Sequence, residues 1–114
     1  MKINIKKTTD LITPALETYI EEKLLSLAKF VKQFDETGEA EIWLEISRTT
    51  QHHRKGNVFM AAADLRLPHK ILRGEATAED IRAAIDQVRN TLHLEIEKYK
   101  TRFMAPRRGE KKGE

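Results

Sequence analysis

Residues 53–80 read HRKGNVFMAAADLRLPHKILRGEATAED, and they decide the fold. Between Asn57 and Leu67, the residues Phe59, Ala61, Ala63, Leu65 and Leu67 fall on one face. Val58, Met60, Ala62, Asp64 and Arg66 fall on the other, a period of two that predicts a strand. Pro68 has no N–H to give a ladder, so the strand ends there. A tight Pro-His turn leads into a second strand over Lys70–Ala76. Thr77 is then expected to cap a helix, with Asp80 at its third position and Glu79 beside the positive end of the dipole. On the amino-terminal side, the polar stretch from Thr49 to Gly56 reads as a loop.

Outward from this stretch the chain supplies one more strand, two helices and a short opening strand. Over Ala40–Arg48, Ile42, Leu44 and Ile46 alternate with Glu41, Trp43, Glu45 and Ser47. Over Lys2–Lys6, Ile3 and Ile5 alternate with Lys2, Asn4 and Lys6. Thr13-Pro14 is a capping hydroxyl followed by proline at the first helical position, where its missing N–H costs nothing. That helix carries Leu16, Ile20, Leu24, Leu27, Val31 and Phe34 as one stripe. A second stripe runs Ile81, Ile85, Val88, Leu92, Ile96, Tyr99 and Phe103, and Pro106 is expected to end it. The expected fold is α+β, a β-α-β-β-β-α two-layer sandwich: a four-stranded sheet with two helices packed on one face. Residues 1–105 form the expected domain, and residues 106–114 a charged, disordered tail.

The 114 residues suffice for a single core. Without cysteine there is no disulfide and no thiolate metal site. MKINIKKTTD lacks the apolar core of a signal peptide, and no apolar run reaches spanning length, so a cytoplasmic protein without membrane contact is expected. No metal or cofactor is expected either. The glycines build no phosphate loop, and His52, His53, His69 and His93 show no ligand spacing. Ser26 and Ser47 have no base beside them, and Glu21 and Glu22 are adjacent and so do not face each other. An enzyme is not expected.

The formal net charge is only +3, so its distribution carries the information. Asp35, Glu36, Glu39, Glu41 and Glu45 form an acidic run, and Arg48, Arg54 and Lys55 follow it. His53, Arg54 and Lys55 sit in a glycine-containing loop, either as phosphate donors or as a solubilising tip. Lys98, Lys100 and Arg102 crowd the end of the second helix, where they complement its dipole or hold an anion. Trp43 is expected to be packed by a loop or the tail rather than to stand as a stacking platform, and Tyr99 to be buried.

In this order and spacing, the pieces MKINIK, ITPALETYIEEKL, HRKGNVF, DLRLPHKILRGEA, AEDIRAAID and EKYK resemble the short ribosome hibernation-promoting factors, or ribosome-associated translation inhibitors, over roughly residues 1–103. The resemblance implies binding to the small ribosomal subunit between head and body. There it covers the decoding region, blocks the messenger and transfer RNA paths, and silences translation under stress or in stationary phase. It implies ribosomal RNA as the partner and no chemistry. Carried over by position, Lys23 and Lys29 match basic positions of the first helix, Lys98 and Lys100 those of the second, and His53, Arg54 and Lys55 those of the loop. The chain departs from the pattern at Ser26, Thr91 and Leu94, where relatives often carry lysine, lysine and arginine. Leu94 is expected to share a face with Thr91, Lys98 and Arg102, leaving a gap in the basic ridge, with Arg82 and Arg89 adding charge from a neighbouring face. A monomer off the ribosome is expected, since the chain ends without the dimerisation domain of longer relatives. The alternatives are a general binder of structured RNA and a protein-interaction module using the acidic strand edge from Glu39 to Glu45.

Overall fold

The computed structural model describes residues 1–7, 10–35, 37–49 and 58–112, with side chains through Arg102. Four strands, β1 (Lys2–Ile5), β2 (Glu41–Thr49), β3 (Val58–Leu67) and β4 (Lys70–Ala78), form one sheet in the order β1-β2-β3-β4. β2, β3 and β4 are an antiparallel meander, and β1 pairs parallel to β2. The parallel pair requires a crossover. It is made by α1 (Pro14–Leu25), α2 (Ala28–Val31) and a 3-10 turn over Lys32–Phe34. The long α3 (Ile81–Lys112) follows β4. The α+β layering read from the sequence is therefore the observed one.

Alternation along each strand sorts the sheet into a core face and an open face. Rows across the core face run Ile3–Ile42–Leu65–Leu72, Ile5–Leu44–Ala63–Gly74 and Ile46–Ala61–Ala76. In the last two rows large side chains on β1 and β2 give way to small ones on β3 and β4. α3 lies over β3 and β4, where the small residues make room for it, and touches α1 along its flank. A Cβ on Gly74 would stand 3.3 Å from Thr91 Cγ2 and 3.4 Å from Leu92 Cγ. Both helical stripes close the core: Leu16, Ile20, Leu24, Leu27 and Val31 from one, Ile85, Val88, Leu92 and Ile96 from the other, all buried. Tyr99 is only partly buried, its ring 4.9 Å from that of Phe34.

Element boundaries depart from the sequence reading in three places. The first helix is not continuous. Ser26 Oγ donates to the Lys23 carbonyl at 2.6 Å, and Leu27 N–H and Phe30 N–H make tight i→i−3 bonds to Leu24 and Leu27. A serine hydroxyl that bonds the backbone competes with the helical ladder. Thr77 does not cap α3, because β4 continues through Thr77 and Ala78, paired with Met60 and Phe59. The Asp80 carbonyl instead accepts the Ala84 N–H at 3.1 Å, so Asp80 holds the capping position. Finally, α3 does not end at Pro106, where the sequence reading stopped it, but reaches Lys112. Proline inside a helix removes one backbone bond and crowds the carbonyl four residues back, at about 3 kcal/mol, without forbidding helix on either side.

Candidate nucleic-acid interface

α1 and α3 meet along a seam on the side of the molecule away from the sheet. α1 brings Tyr19, Lys23 and Ser26 to it, and α3 brings Arg82, Asp86 and Arg89. Both triplets step by four and three, the spacing that puts successive residues on one helix flank. The Tyr19 hydroxyl donates to Asp86 Oδ1 at 2.7 Å, and Lys23 Nζ lies 3.5 Å from the same oxygen. The Arg82 guanidinium stands 5.1 Å from the Tyr19 ring centroid and Lys23 Nζ 5.6 Å from it, so one ring serves a cation from each helix. Arg89 Nε donates to Ser26 Oγ at 2.9 Å. Accepting that proton while donating to Lys23's carbonyl uses both functions of the Ser26 hydroxyl.

Lys23 and Arg89 thus line a shallow cleft at the seam with Tyr19, Ser26, Glu22 and Asn90, and Arg82 joins them over the Tyr19 ring. The hydrogen bond to Asp86 is the largest cause raising the Tyr19 pKa, with burial and the charge of Asp86 adding to it. Tyr19 therefore stays a neutral donor well into the alkaline range. Lys29 is exposed on the next turn, its Nζ 5.2 Å from the Phe30 ring.

The remaining cations of α3 do not form one ridge. At 100° per residue, Lys100 lies eleven positions beyond Arg89 and returns to the α1-facing flank. Lys98 lies seven beyond Thr91, whose methyl is turned to Gly74 of β4, so Lys98 belongs to the opposite flank. Lys98 is exposed and paired with Glu95 at 3.4 Å, and Arg102 is exposed near it. Leu94 is 63% exposed and shares a shallow cleft with Lys98, Thr101 and Arg102. Leu94 is off the core stripe as expected. Thr91 begins that flank and is itself half-buried, its methyl turned to Gly74. His53, Arg54 and Lys55 lie outside the described residues.

The open sheet face has a different character. Lys2, Lys6, Arg66 and Arg73 are interleaved there with Glu41, Glu45, Asp64 and Glu75. Arg73 is held by Asp64 and Glu75, both at 2.8 Å, and hydrogen bonds to them raise its pKa. Trp43 is 42% exposed, contrary to the packed tryptophan expected. Its indole N–H donates to Glu41 Oε1 at 2.8 Å and Arg66 sits 5.1 Å from its ring, so polar neighbours hold it without covering it. The balance of charge gives this face no net pull on phosphate.

Sequence reasoning missed Tyr19, Ser26 and Asp86. Their spacing was present, but which helix flanks face each other is a tertiary fact. Among the described residues there is no cluster of His, Cys, Asp and Glu able to hold a metal, and no helix long and apolar enough to cross a membrane.

With this geometry in view, similarity to known proteins is informative. Residues 3–104 match the family model described as Sigma 54 modulation protein / S30EA ribosomal protein. A ribosome hibernation promotion factor of Deinococcus radiodurans is 30% identical over 96 residues, covering 84% of this chain and 47% of the relative. Its namesake in Lactococcus lactis is 30% identical over 103 residues, covering 90% of this chain and 51% of the relative. The chain spans about half the length of the curated relatives it matches. A ribosomal subunit interface protein from Coxiella burnetii superposes with a TM-score of 0.64 at 23% identity, over 89% of this chain and 99% of that one. The amino-terminal domain of Thermus thermophilus Protein Y gives 0.56 at 21% identity, over 86% and 94%. At these identities the two structures establish likeness of fold.

Proposed function

The chain belongs to the Sigma 54 modulation protein / S30EA ribosomal protein family, and on that premise we propose that it binds the ribosome and silences translation. The finer reading is binding to the small subunit between head and body, over the decoding region, where the protein would exclude messenger and transfer RNA. Residues 1–105 are the proposed binding domain. The observation that carries this reading is the convergence of Lys23, Arg82 and Arg89 on the solvent side of the α1–α3 seam. Cations on two packed helices can follow an RNA backbone, which is recognised by shape and phosphate contacts rather than by groove readout. The charge-balanced open sheet face offers no competing surface of that kind.

Lys29 and Lys100 extend the proposed contact along the same side. Lys98 and Arg102 reach RNA from the other flank of α3, and the His53-Arg54-Lys55 loop is included by resemblance. Silencing needs no bond to be made or broken. An occupied site excludes its normal ligands by mass action, so the protein is proposed to act as a binding factor in the cytoplasm and as a monomer off the ribosome. Cell-free translation with added protein tests this. The expected result is dose-dependent arrest accompanied by co-sedimentation with small subunits. Unimpeded translation together with absence from the subunit fraction at low salt would reject it.

A further inference from the structure

The basic seam contains a carboxylate at its centre. Asp86 faces Lys23 and Tyr19 across the helix interface and lies one turn from both Arg82 and Arg89 on its own helix. A surface built only to maximise attraction to phosphate would not place an acid there. We infer that Asp86 is a specificity-determining residue, one that holds down indiscriminate attachment to RNA backbones. The inference rests on reading the seam as a phosphate-facing surface.

Asp86 makes two contacts across the seam, and they differ in kind. Its contact with Lys23 is a 3.5 Å pair between side chains 42% and 41% exposed, a class of ion pair held only weakly in water. Lys23 can therefore leave Asp86 for a phosphate. The Tyr19 hydroxyl, at 2.7 Å, keeps the carboxylate in place when Lys23 leaves, and Tyr19 is itself fixed between the two helices. A phosphate that takes Lys23 must then sit beside a charge of its own sign. Any RNA duplex offers phosphates, and attachment to them is driven by counterion release without regard to sequence or shape. A built-in repulsion subtracts from that common term for every RNA alike. Only a partner that fits the rest of the surface makes up the loss, which is how a repulsive group produces discrimination. Asp86 acts through Lys23 and the local field, and is a positioning residue in that sense.

The test compares the full chain with Asp86→Asn, Asp86→Ser and Asp86→Glu, each binding an arbitrary RNA duplex and purified small ribosomal subunits across a salt series. Thermal melts establish that each variant is folded. Asp86→Asn and Asp86→Ser are expected to bind the arbitrary duplex about three- to tenfold tighter at low salt. Their log–log salt slope should steepen by about one, the signature of one more phosphate contact. Preference for subunits over duplex should fall, and Asp86→Glu should restore wild-type behaviour. Unchanged or weaker duplex binding by both neutral variants would overturn the inference, as would an Asp86→Glu variant that behaves like them. Wild-type protein that ignores subunits, alongside neutral variants that gain duplex affinity, would reject the ribosomal reading and support this one. Subunit binding without any effect at position 86 would do the reverse.

Discussion

At Gly74 the approach of α3 to the sheet is decided by one missing side chain. Its position in β4 needs no unusual backbone; what it supplies is room, since a Cβ would press on Thr91 and Leu92. Gly74→Val should cost about 1–3 kcal/mol through overpacking. In a thermal melt that corresponds to a loss of roughly 5–15 °C for a domain of this size. An unchanged melting temperature would mean that α3 does not rest on β4 as described. The sequence displayed this glycine inside a strand pattern, but not the helix above it. Trp43 shows the same limit. Alternation placed it on the polar face, and only the positions of Glu41 and Arg66 reveal that it is held in solvent by a hydrogen bond and a guanidinium. Single-residue surroundings depend on neighbours distant in the chain, and periodicity carries no information about those.

Elements were far more legible, because each is announced by local chemistry. The Thr13-Pro14 signal is realised as read: Thr13 Oγ1 accepts the Leu16 N–H at 3.1 Å, and Pro14 opens α1. Thr13→Ala should lower stability by about 1 kcal/mol, the usual worth of a capping hydroxyl. Equilibrium urea unfolding can read this as a lower midpoint at constant slope. A midpoint equal to wild type would assign α1's stability to packing alone. Where elements were misread, two signals competed. Ser26 lies within an unbroken apolar stripe, yet its hydroxyl draws the backbone out of the regular ladder. Thr77 has the side chain for a cap, yet pairing with Met60 keeps it in β4 and passes the role to Asp80. At Pro106 the local rule overstated the cost of proline relative to the helical residues around it. The stripes themselves survive these shifts, because burial follows the apolar face rather than the exact hydrogen-bond pattern.

Across the whole molecule, the two layers divide the charge. The sheet's outer face neutralises its own cations with Glu41, Glu45, Asp64 and Glu75 on neighbouring strands. The helical layer leaves Lys23, Arg82 and Arg89 gathered at a seam with Asp86 among them. A net charge of +3 concealed this division, because a total does not record where each charge lies. The sequence set Arg82 and Arg89 on a face beside that of Lys98 and Arg102, but did not show that this face meets Lys23 of α1. Helix rotation separates the seam from the Lys98–Arg102 flank. The central claim is that the helical seam, and not the sheet, meets RNA. It is tested most directly by the salt dependence of small-subunit binding for Lys23→Ala/Arg82→Ala/Arg89→Ala beside Arg66→Ala/Arg73→Ala. The seam variant should bind more weakly, with its log–log slope shallower by about two to three, and the sheet variant should follow wild type. A seam variant with the wild-type slope, or an equal loss from the sheet variant, would contradict the account.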